Sequence, residues 1–422
     1  MAAWIRPSTA CILMFATVSA ADWATWLGPN RDGKSLETGL LKSWPEGGPK
    51  VVWKAGGLGE GYSSMAVVGN RIYTQGQEGD AQFVIALDSS NGKQVWKTPF
   101  GRAFKSGQGS GPRGMPQVEG DRLYALGSDG SLACLDTVTG KKIWALSYVE
   151  KFGSTNPTWA FSESPLIDGD RLVINPGGKG AGMVALNKKT GSVIWQSQDD
   201  LANYSSVLPF TVGDVRIYTV LTASGAVAVN AKDGSLLWRY EKAGNGPRIN
   251  VATPVYSDGH VFYSSGYGNG GGLMKLAADN GKVTATEVYF TRDMQNQYTT
   301  SIKVGDYLYG FSGNQPSFFV AMDFKTGKAS WRERGAQKGN CIFADGLLYC
   351  QGEAGKVALI EPTPSAYKEI SSFDMGRKNE PMVWVPNGNM WAYPAIANGR
   401  LYIRDQETLS VFDISGKSHM NK

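Results

Sequence analysis

Residues 86–96 read ALDSSNGKQVW, and similar segments return along the chain. The copies are CLDTVTGKKIW at 134–144, ALNKKTGSVIW at 185–195, AVNAKDGSLLW at 228–238 and AMDFKTGKASW at 321–331. Their final tryptophans are 48, 51, 43 and 93 residues apart. A weaker copy, KLAADNGKVTA at 275–285, stands at the midpoint of the longest interval and has Ala285 at the tryptophan position. Such a period is typical of a repeat architecture.

A second pattern precedes each copy: a short apolar strand, a two-residue turn and a strand that contains an aromatic or aliphatic core residue. The turns are Gly69-Asn70, Gly120-Asp121, Gly169-Asp170, Gly213-Asp214, Asp258-Gly259, Gly305-Asp306, Asp345-Gly346 and Asn398-Gly399. Glycine beside Asn or Asp supplies the positive φ that tight hairpins require. Each repeat therefore holds about four strands, the size of a propeller blade. We predict an all-β, eight-bladed β-propeller.

The two ends of the repeat region complement each other. The last copy ends at VFDISGK, residues 411–417, with no fourth strand after it, whereas KVVW at 50–53 is a strand with no hairpin before it. We predict that the N-terminal strand completes the eighth blade, because this pairing removes an open sheet edge.

Composition excludes several classes of protein. Hydrophobic residues make up 42% of the chain and glycine supplies 54 of 422 residues, which argues against disorder, coiled coil and collagen. The net charge of +5 is spread along the chain, so we expect no nucleic-acid partner. The chain has only two histidines, His260 and His419, and no CxxC pair, which argues against a catalytic triad and a zinc site.

The chain divides into four segments. Residues 1–21 resemble an export signal, with Arg6 before an apolar run and small residues up to Ala21. The apolar run is too short to span a membrane. We therefore expect a lead-in segment at 22–49, a propeller at 50–417 and a tail at 418–422. The product should be an exported monomer, periplasmic or extracellular, without a membrane span.

The repeated A-x-D-x-x-T-G-x-x-x-W pattern resembles the tryptophan-docking motif of the pyrroloquinoline-quinone (PQQ) propeller family. That family includes quinoprotein alcohol dehydrogenases and a propeller lipoprotein of outer-membrane assembly. The resemblance covers residues 50–417, and WLGPNRDG at 26–33 is similar to the opening of secreted bacterial PQQ-like propellers. It implies the propeller fold and a structural role for the repeat tryptophans.

Candidate site residues lie in the loops that lead into the innermost strands, because propeller ligands usually sit over the central channel. These loops carry aromatic, charged and polar side chains at Tyr62, Arg113, Trp159, Glu163, Tyr204, Arg248, Asn250, Tyr298, Lys338 and Trp391. Aromatic walls with three cations suit a flat anionic ligand. The alternative is that Arg113, Arg248 and Glu163 bind one another and loop carbonyls to join neighbouring blades.

The resemblance implies a cofactor of this kind, PQQ with calcium. By analogy with the quinoprotein enzymes, Trp159 or Trp391 would form the floor beneath the quinone, and Glu163 with Asn250 would face the metal. The enzymes of that family are longer and roof their site with insertions that this chain lacks.

Three functions remain open. The first is a ligand-binding or protein-interaction scaffold, with an anionic planar molecule, an acidic glycan or a protein at the channel mouth. The second is a PQQ-dependent periplasmic dehydrogenase of alcohols or sugars. The third is a factor in outer-membrane protein assembly.

Cys341 and Cys350 lie at equal distances from the turn at Asp345-Gly346, so they oppose each other across one hairpin. Cα atoms at such non-hydrogen-bonded pairs approach to about 4.5 Å, within reach of a disulfide. Export to an oxidising compartment favours the bond. Thiol counting on the unreduced, denatured mature protein should find one thiol, Cys134, whereas three thiols would contradict the pairing.

Overall fold

The computed structural model describes residues 22–107, 109–376 and 389–416. The predicted export signal at 1–21 and the predicted tail at 418–422 lie outside these residues. The described residues form eight sheets of four antiparallel strands each, arranged as the blades of a propeller. The predicted fold class is confirmed.

The strands are numbered in chain order. Strand β1 is Lys50–Ala55. Blade 1 comprises β2 Ala66–Val68, β3 Arg71–Glu78, β4 Ala81–Asp88 and β5 Gln94–Arg102. Blade 2 comprises β6 Gln117–Glu119, β7 Arg122–Leu126, β8 Ser131–Asp136 and β9 Lys142–Ser147. Blade 3 comprises β10 Leu166–Asp168, β11 Arg171–Ile174, β12 Met183–Asn187 and β13 Val193–Ser197. Blade 4 comprises β14 Leu208–Val212, β15 Val215–Thr222, β16 Gly225–Asn230 and β17 Leu236–Tyr240.

The second half of the ring follows the same plan. Blade 5 comprises β18 Val255–Ser257, β19 His260–Ser265, β20 Gly270–Asp279 and β21 Lys282–Thr291. Blade 6 comprises β22 Ile302–Val304, β23 Tyr307–Ser312, β24 Phe318–Asp323 and β25 Ala329–Glu333. Blade 7 comprises β26 Gly339–Ala344, β27 Leu347–Gly352, β28 Lys356–Ile360 and β29 Glu369–Asp374. Blade 8 comprises β30 Ala395–Ala397, β31 Arg400–Asp405 and β32 Thr408–Asp413, together with β1. A short helix, α1 Tyr148–Phe152, follows β9, and a 3-10 turn at Glu241–Ala243 follows β17.

Tight turns join the first two strands of every blade at the eight predicted positions. The first residue of each turn has φ between 47° and 60°. Five of these residues are glycine and three are Asp or Asn, the residue types that tolerate this left-handed conformation best. These residues therefore fix the position at which the chain reverses direction between the first and second strands of each blade.

The six tryptophans of the repeat connect neighbouring blades. Trp96 of blade 1 donates its indole N–H to the carbonyl of Thr137 in blade 2, at 3.1 Å. Trp53, Trp144, Trp195 and Trp331 make the same kind of bond to the next blade, and Trp238 bonds the hydroxyl of Tyr263. A Cβ atom added to Gly140 would lie 2.6 Å from the ring of Trp96, so glycine is needed for this close approach.

Blade 5 differs from the prediction at the tryptophan position. Tyr289, rather than Ala285, takes the equivalent place: its hydroxyl donates to the carbonyl of Phe324 in blade 6, at 2.8 Å. Its ring also lies against Gly327, as the tryptophan rings lie against the corresponding glycines. The prediction that Ala285 occupies the tryptophan position was wrong. The β20–β21 hairpin has ten residues in each strand, so its turn lies farther from the tryptophan position than in the other blades.

Strand β1 pairs antiparallel with β32, so the N-terminal strand completes blade 8 as predicted. The junction with blade 1 contains the buried side chain of Arg404. Its guanidinium donates to Thr74 Oγ1 at 2.6 Å and to the carbonyl of Gly59 at 3.1 Å. Burial lowers the pKa of Arg404 to about 9, so it remains charged at neutral pH while protein oxygens replace its water.

The first part of the lead-in segment, residues 22–35, contacts the innermost strands, and the segment then reaches the outer strand β29, where Trp44 packs against Phe373. Trp23 exchanges backbone hydrogen bonds with Val67 of β2, and the carbonyl of Ala24 accepts from Val118 of β6. Farther along, Ser35 bonds Phe343 of β26 through its amide and Ile396 of β30 through its hydroxyl. The segment thus connects the first strands of four consecutive blades, 7, 8, 1 and 2.

Cys341 and Cys350 are disulfide-bonded across β26 and β27, with Cα atoms 4.3 Å apart. Cys134 is a free, buried cysteine. No helix in the described parts of the chain is long and apolar enough to cross a membrane.

Closure of the ring can be tested with two truncated proteins. One begins at Lys50 and lacks only the segments before β1, and the other begins at Ala55 and lacks β1 as well. We expect the first to unfold in one cooperative transition and the second to aggregate, because loss of β1 exposes the edge of β32. Circular dichroism and size-exclusion chromatography measure both properties. Equal cooperativity of the two proteins would contradict the closure.

Candidate ligand cavity at the channel mouth

A cavity of about 530 Å³ opens on the face where the loops enter the innermost strands. Its volume falls in the range of small-molecule sites. Seven of the ten predicted site residues line it: Tyr62, Arg113, Trp159, Tyr204, Tyr298, Lys338 and Trp391. Glu163, Arg248 and Asn250 do not line it.

Several lining residues were missed because the sequence prediction considered only one set of loops. In a four-stranded antiparallel blade, the loop between the second and third strands lies on the same face as the loop into the first strand. Tyr267, Asn314, Gln315, Glu353 and Ala354 belong to such loops. The entry loops add Ser162, Ile249, Val251, Gln297, Thr300, Asn389 and Tyr393.

Trp26 of the lead-in segment also lines the cavity. Its indole N–H donates to Thr253 Oγ1 at 2.9 Å, and its ring meets Tyr393 edge-on with centroids 4.8 Å apart. Its backbone amide donates to Gln117 Oε1 at 2.9 Å. Trp159 and Trp391 line the same cavity, and the floor position that the resemblance implied for one of them stays a prediction.

The walls contain two groups of aromatic rings. Trp391 lies 5.0 Å from Tyr62 and 5.9 Å from Tyr298 between ring centroids, and these three residues come from blades 8, 1 and 6. On the blade 3 and 4 side, Trp159 and Tyr204 are 6.1 Å apart. Such rings offer large contact areas at little cost in side-chain entropy.

Arg113 is held by its own loop. Its two terminal nitrogens each donate at 2.7 Å, one to the carbonyl of Gly111 and one to that of Gly109. The guanidinium lies 5.6 Å from the ring centre of Tyr62. Burial lowers the pKa of Arg113 to about 10, so the group is charged at neutral pH.

Lys338 and Glu353 form the other charged part of the cavity. The ammonium group of Lys338 donates to Asn314 Oδ1 at 2.9 Å and lies 5.1 Å from the ring centre of Tyr298. Burial lowers the pKa of Lys338, and the nearby carboxylate of Glu353 opposes that change. Glu353 accepts from the indole of Trp391 at 3.0 Å and from the hydroxyl of Tyr298 at 3.3 Å.

The residues assigned to a calcium ion have structural contacts instead. Glu163 is 2% exposed and accepts from the hydroxyl of Tyr148 and the amide of Asn175, at 2.9 and 2.8 Å. Asn250 accepts from the amide of Asn245 at 3.1 Å. Protein donors engage these oxygens, so this pair does not fit a calcium site. The described residues contain no group of three or more His, Cys, Asp or Glu placed to hold a metal ion.

Arg248 is exposed and has a left-handed backbone, with φ of 58°. Its carbonyl accepts from Asn203 Nδ2 at 2.6 Å. The residue therefore shapes the loop into blade 5. The predicted ligand role of its guanidinium stays a prediction.

The buried carboxyl of Glu163 predicts a pH dependence of stability. Burial raises its pKa from 4.5 to about 7, although bonds from Asn175 and Tyr148 and the charge of Arg31 act in the opposite direction. Because the folded pKa is raised, the stability that the protonated group provides below about pH 4.5 is lost as the pH rises through about 7.

We expect ionisation of Glu163 to lower the free energy of unfolding by up to about 3 kcal/mol as the pH rises from 4.5 to neutral. Glu163→Gln should remove that loss, and Glu46→Gln, on the surface, should keep it. Urea unfolding at pH 5 and pH 7.5 measures the difference. The same slope in Glu163→Gln and the parent would contradict a protonated Glu163.

Comparisons with known proteins agree with this architecture. The family model described as outer membrane protein assembly factor BamB matches residues 39–151 and 80–333. The outer membrane protein assembly factor BamB of Burkholderia pseudomallei (strain K96243) is 27% identical over 218 residues, which cover 44% of this chain and 54% of that protein. The match therefore spans about half the length of that relative.

Solved structures share the fold at low sequence identity. BamB from Moraxella catarrhalis superposes with a TM-score of 0.55 at 15% identity, covering 80% of this chain and 93% of that one. Quinohemoprotein alcohol dehydrogenase from Comamonas testosteroni gives 0.60 at 12% identity, covering 95% and 82%. Since the family model matches more than half of its residues, the chain belongs to the PQQ-like propeller family described as outer membrane protein assembly factor BamB.

Proposed function

We propose that this propeller is a binding protein that holds a ligand in the cavity at its channel mouth. The observation that carries the proposal is the cavity itself: eight aromatic side chains line it, and Trp26 of the lead-in segment is one of them. Folding alone does not require so much aromatic surface around an opening. Arg113 and Lys338 favour a ligand that carries negative charge.

The lining residues support binding more than catalysis. Glu353 is the single carboxylate among them, and no histidine lines the cavity. Of the two histidines in the chain, His260 lies at a turn, where its ring bonds the carbonyl of Asp258. A pair of facing carboxylates or a histidine beside a nucleophile, which most hydrolytic mechanisms use, is absent from the described lining residues.

PQQ is one candidate ligand, because it is flat and anionic, as the resemblance implies. The donor set at Glu163 and Asn250 does not support calcium beside it, so we propose no step through that ion. An acidic glycan is the second candidate for the same cavity, and a protein segment is the third.

A role in outer-membrane protein assembly is a second candidate function. It is favoured by the family description and by the relative from Burkholderia pseudomallei, both of which carry that name. Loss of the gene should then lower the amounts of outer membrane proteins in envelope fractions of the native host. Restoration by the parent chain is the control.

The proposed site of action is outside the cytoplasm, in the periplasm or beyond the cell. The signal-like segment at 1–21 and the disulfide between Cys341 and Cys350 support this location, since disulfides persist in oxidising compartments. Cell fractionation of the native host tests it directly. Recovery in the cytoplasm at full length would contradict it.

Ligand binding can be tested with a variant that fills the cavity. Ser162 lines the cavity, whereas Ser90 is exposed on a hairpin turn outside it, so Ser162→Trp and Ser90→Trp form a matched pair. The ligands are PQQ, PQQ with calcium chloride, and trigalacturonic acid, titrated by calorimetry. We expect at least one to bind, with affinity lowered by about tenfold or more, about 1.4 kcal/mol, in Ser162→Trp only.

Two results would contradict the proposal. Equal affinity in both variants and the parent would place the site elsewhere. Failure of every ligand to bind the folded parent would exclude a small-molecule site of this chemistry and favour the role in assembly.

A further inference from the structure

The hydrogen-bonding groups of the cavity indicate which kind of ligand it takes. Four lining side chains are amides: Gln297, Asn314, Gln315 and Asn389. An amide both donates and accepts, as a hydroxyl group does. A planar polycarboxylate presents mainly acceptors, so it would use only half of this capacity.

Gln297 gives the sharpest requirement. Its Nε2 donates to the hydroxyl of Tyr267 at 3.2 Å, while its Oε1 is buried and has no hydrogen-bond partner among the described residues. A buried acceptor without a donor is unfavourable. Because Oε1 itself is buried, a ligand meets it only after the amide turns toward the cavity, and a hydroxyl group, which both donates and accepts, can then bond either end of the amide.

Glu353 is a second group that favours a ligand with hydrogen-bond donors. Its carboxylate is part of the cavity lining, beside Trp391 and Tyr298. A ligand with several carboxylates would bring like charges toward it, whereas a hydroxyl group would donate to it. Two cations and one carboxylate line the cavity, which leaves an excess positive charge suited to an acidic group on an otherwise uncharged ligand.

The aromatic rings are inclined to one another. The planes of Tyr62 and Trp391 differ by 40°, and those of Tyr298 and Trp391 differ by 49°. These pairs do not form the parallel slot in which a flat molecule would be sandwiched. The electron-rich faces of the rings instead suit the polarised C–H groups of puckered rings that approach from different directions.

We propose that the ligand of this cavity is an acidic saccharide, an oligosaccharide that contains uronic acid units. Its hydroxyl groups bond Gln297, the neighbouring amides and Glu353, its C–H faces pack on Trp391 and Trp159, and its carboxylate lies near Arg113 or Lys338. This inference rests on the proposed binding function and names its ligand class.

The test uses calorimetric titration of the full mature chain with four probes. Trigalacturonic acid and a hyaluronan tetrasaccharide represent α-linked and β-linked uronates, maltotriose is the neutral comparison, and PQQ is the planar anion. We expect an acidic saccharide to bind, with maltotriose at least about tenfold weaker because it lacks the carboxylates.

Gln297→Leu removes the amide while keeping similar volume, and Gln94→Leu makes the same change at an exposed position of β5. We expect Gln297→Leu to weaken saccharide binding by about tenfold or more and Gln94→Leu to leave it unchanged.

Each of the other outcomes would contradict a specific part of the proposal. If PQQ binds and neither acidic saccharide does, the ligand class is wrong while the binding function stands. If maltotriose binds as tightly as trigalacturonic acid, the assignment of a carboxylate to Arg113 and Lys338 is wrong. If saccharides bind equally to both glutamine variants and the parent, they do not occupy this cavity. If no probe binds, the inference and the proposed small-molecule function both fail.

Discussion

Pairing of the two ends of the repeat region is the interaction on which the rest of the structure depends. Strand β1 supplies the fourth strand of blade 8, so the ring has no free gap between its first and last blades. The buried guanidinium of Arg404 joins the same junction by bonding blade 8 to oxygens of blade 1. Because each blade contacts mainly its neighbours, a ring that fails to close would expose two blade faces and one sheet edge.

Closure creates a central channel, and the first part of the lead-in segment contacts the innermost strands around it. The hydrogen bonds of Trp23 and Ser35 with innermost strands attach this segment to three consecutive blades, 7, 8 and 1. The segment brings Trp26 into the cavity lining, where its indole N–H bonds Thr253. The segment before the propeller therefore belongs to the site as much as the blade loops do.

Polar residues at the channel mouth divide into two groups. Glu163 and Asn250 have buried oxygens engaged by neighbouring amides or hydroxyls, and they hold the loops in place. Gln297, Lys338 and Glu353 line the cavity, where they also bond Tyr267, Asn314 and Trp391. Residue type does not distinguish these groups, because a glutamate serves in each. Position in the fold makes the distinction, because Glu353 lines the cavity whereas Glu163 does not.

The sequence alone determined the blade count, the hairpin turns and the closure by β1. These features follow from local rules: glycine, asparagine or aspartate at positive φ sets each turn, and a recurring tryptophan marks six of the eight outer strands. The same positions predicted seven lining residues, since symmetry places every entry loop on one face. Where a blade departed from the repeat length, as at Tyr289, the local pattern gave the wrong equivalence. Tertiary structure alone decided the path of the lead-in segment, the position of Trp26 and the inward placement of Glu353 rather than Glu163. These depend on contacts between residues far apart in the chain, such as Trp26 with Thr253, which no local pattern encodes.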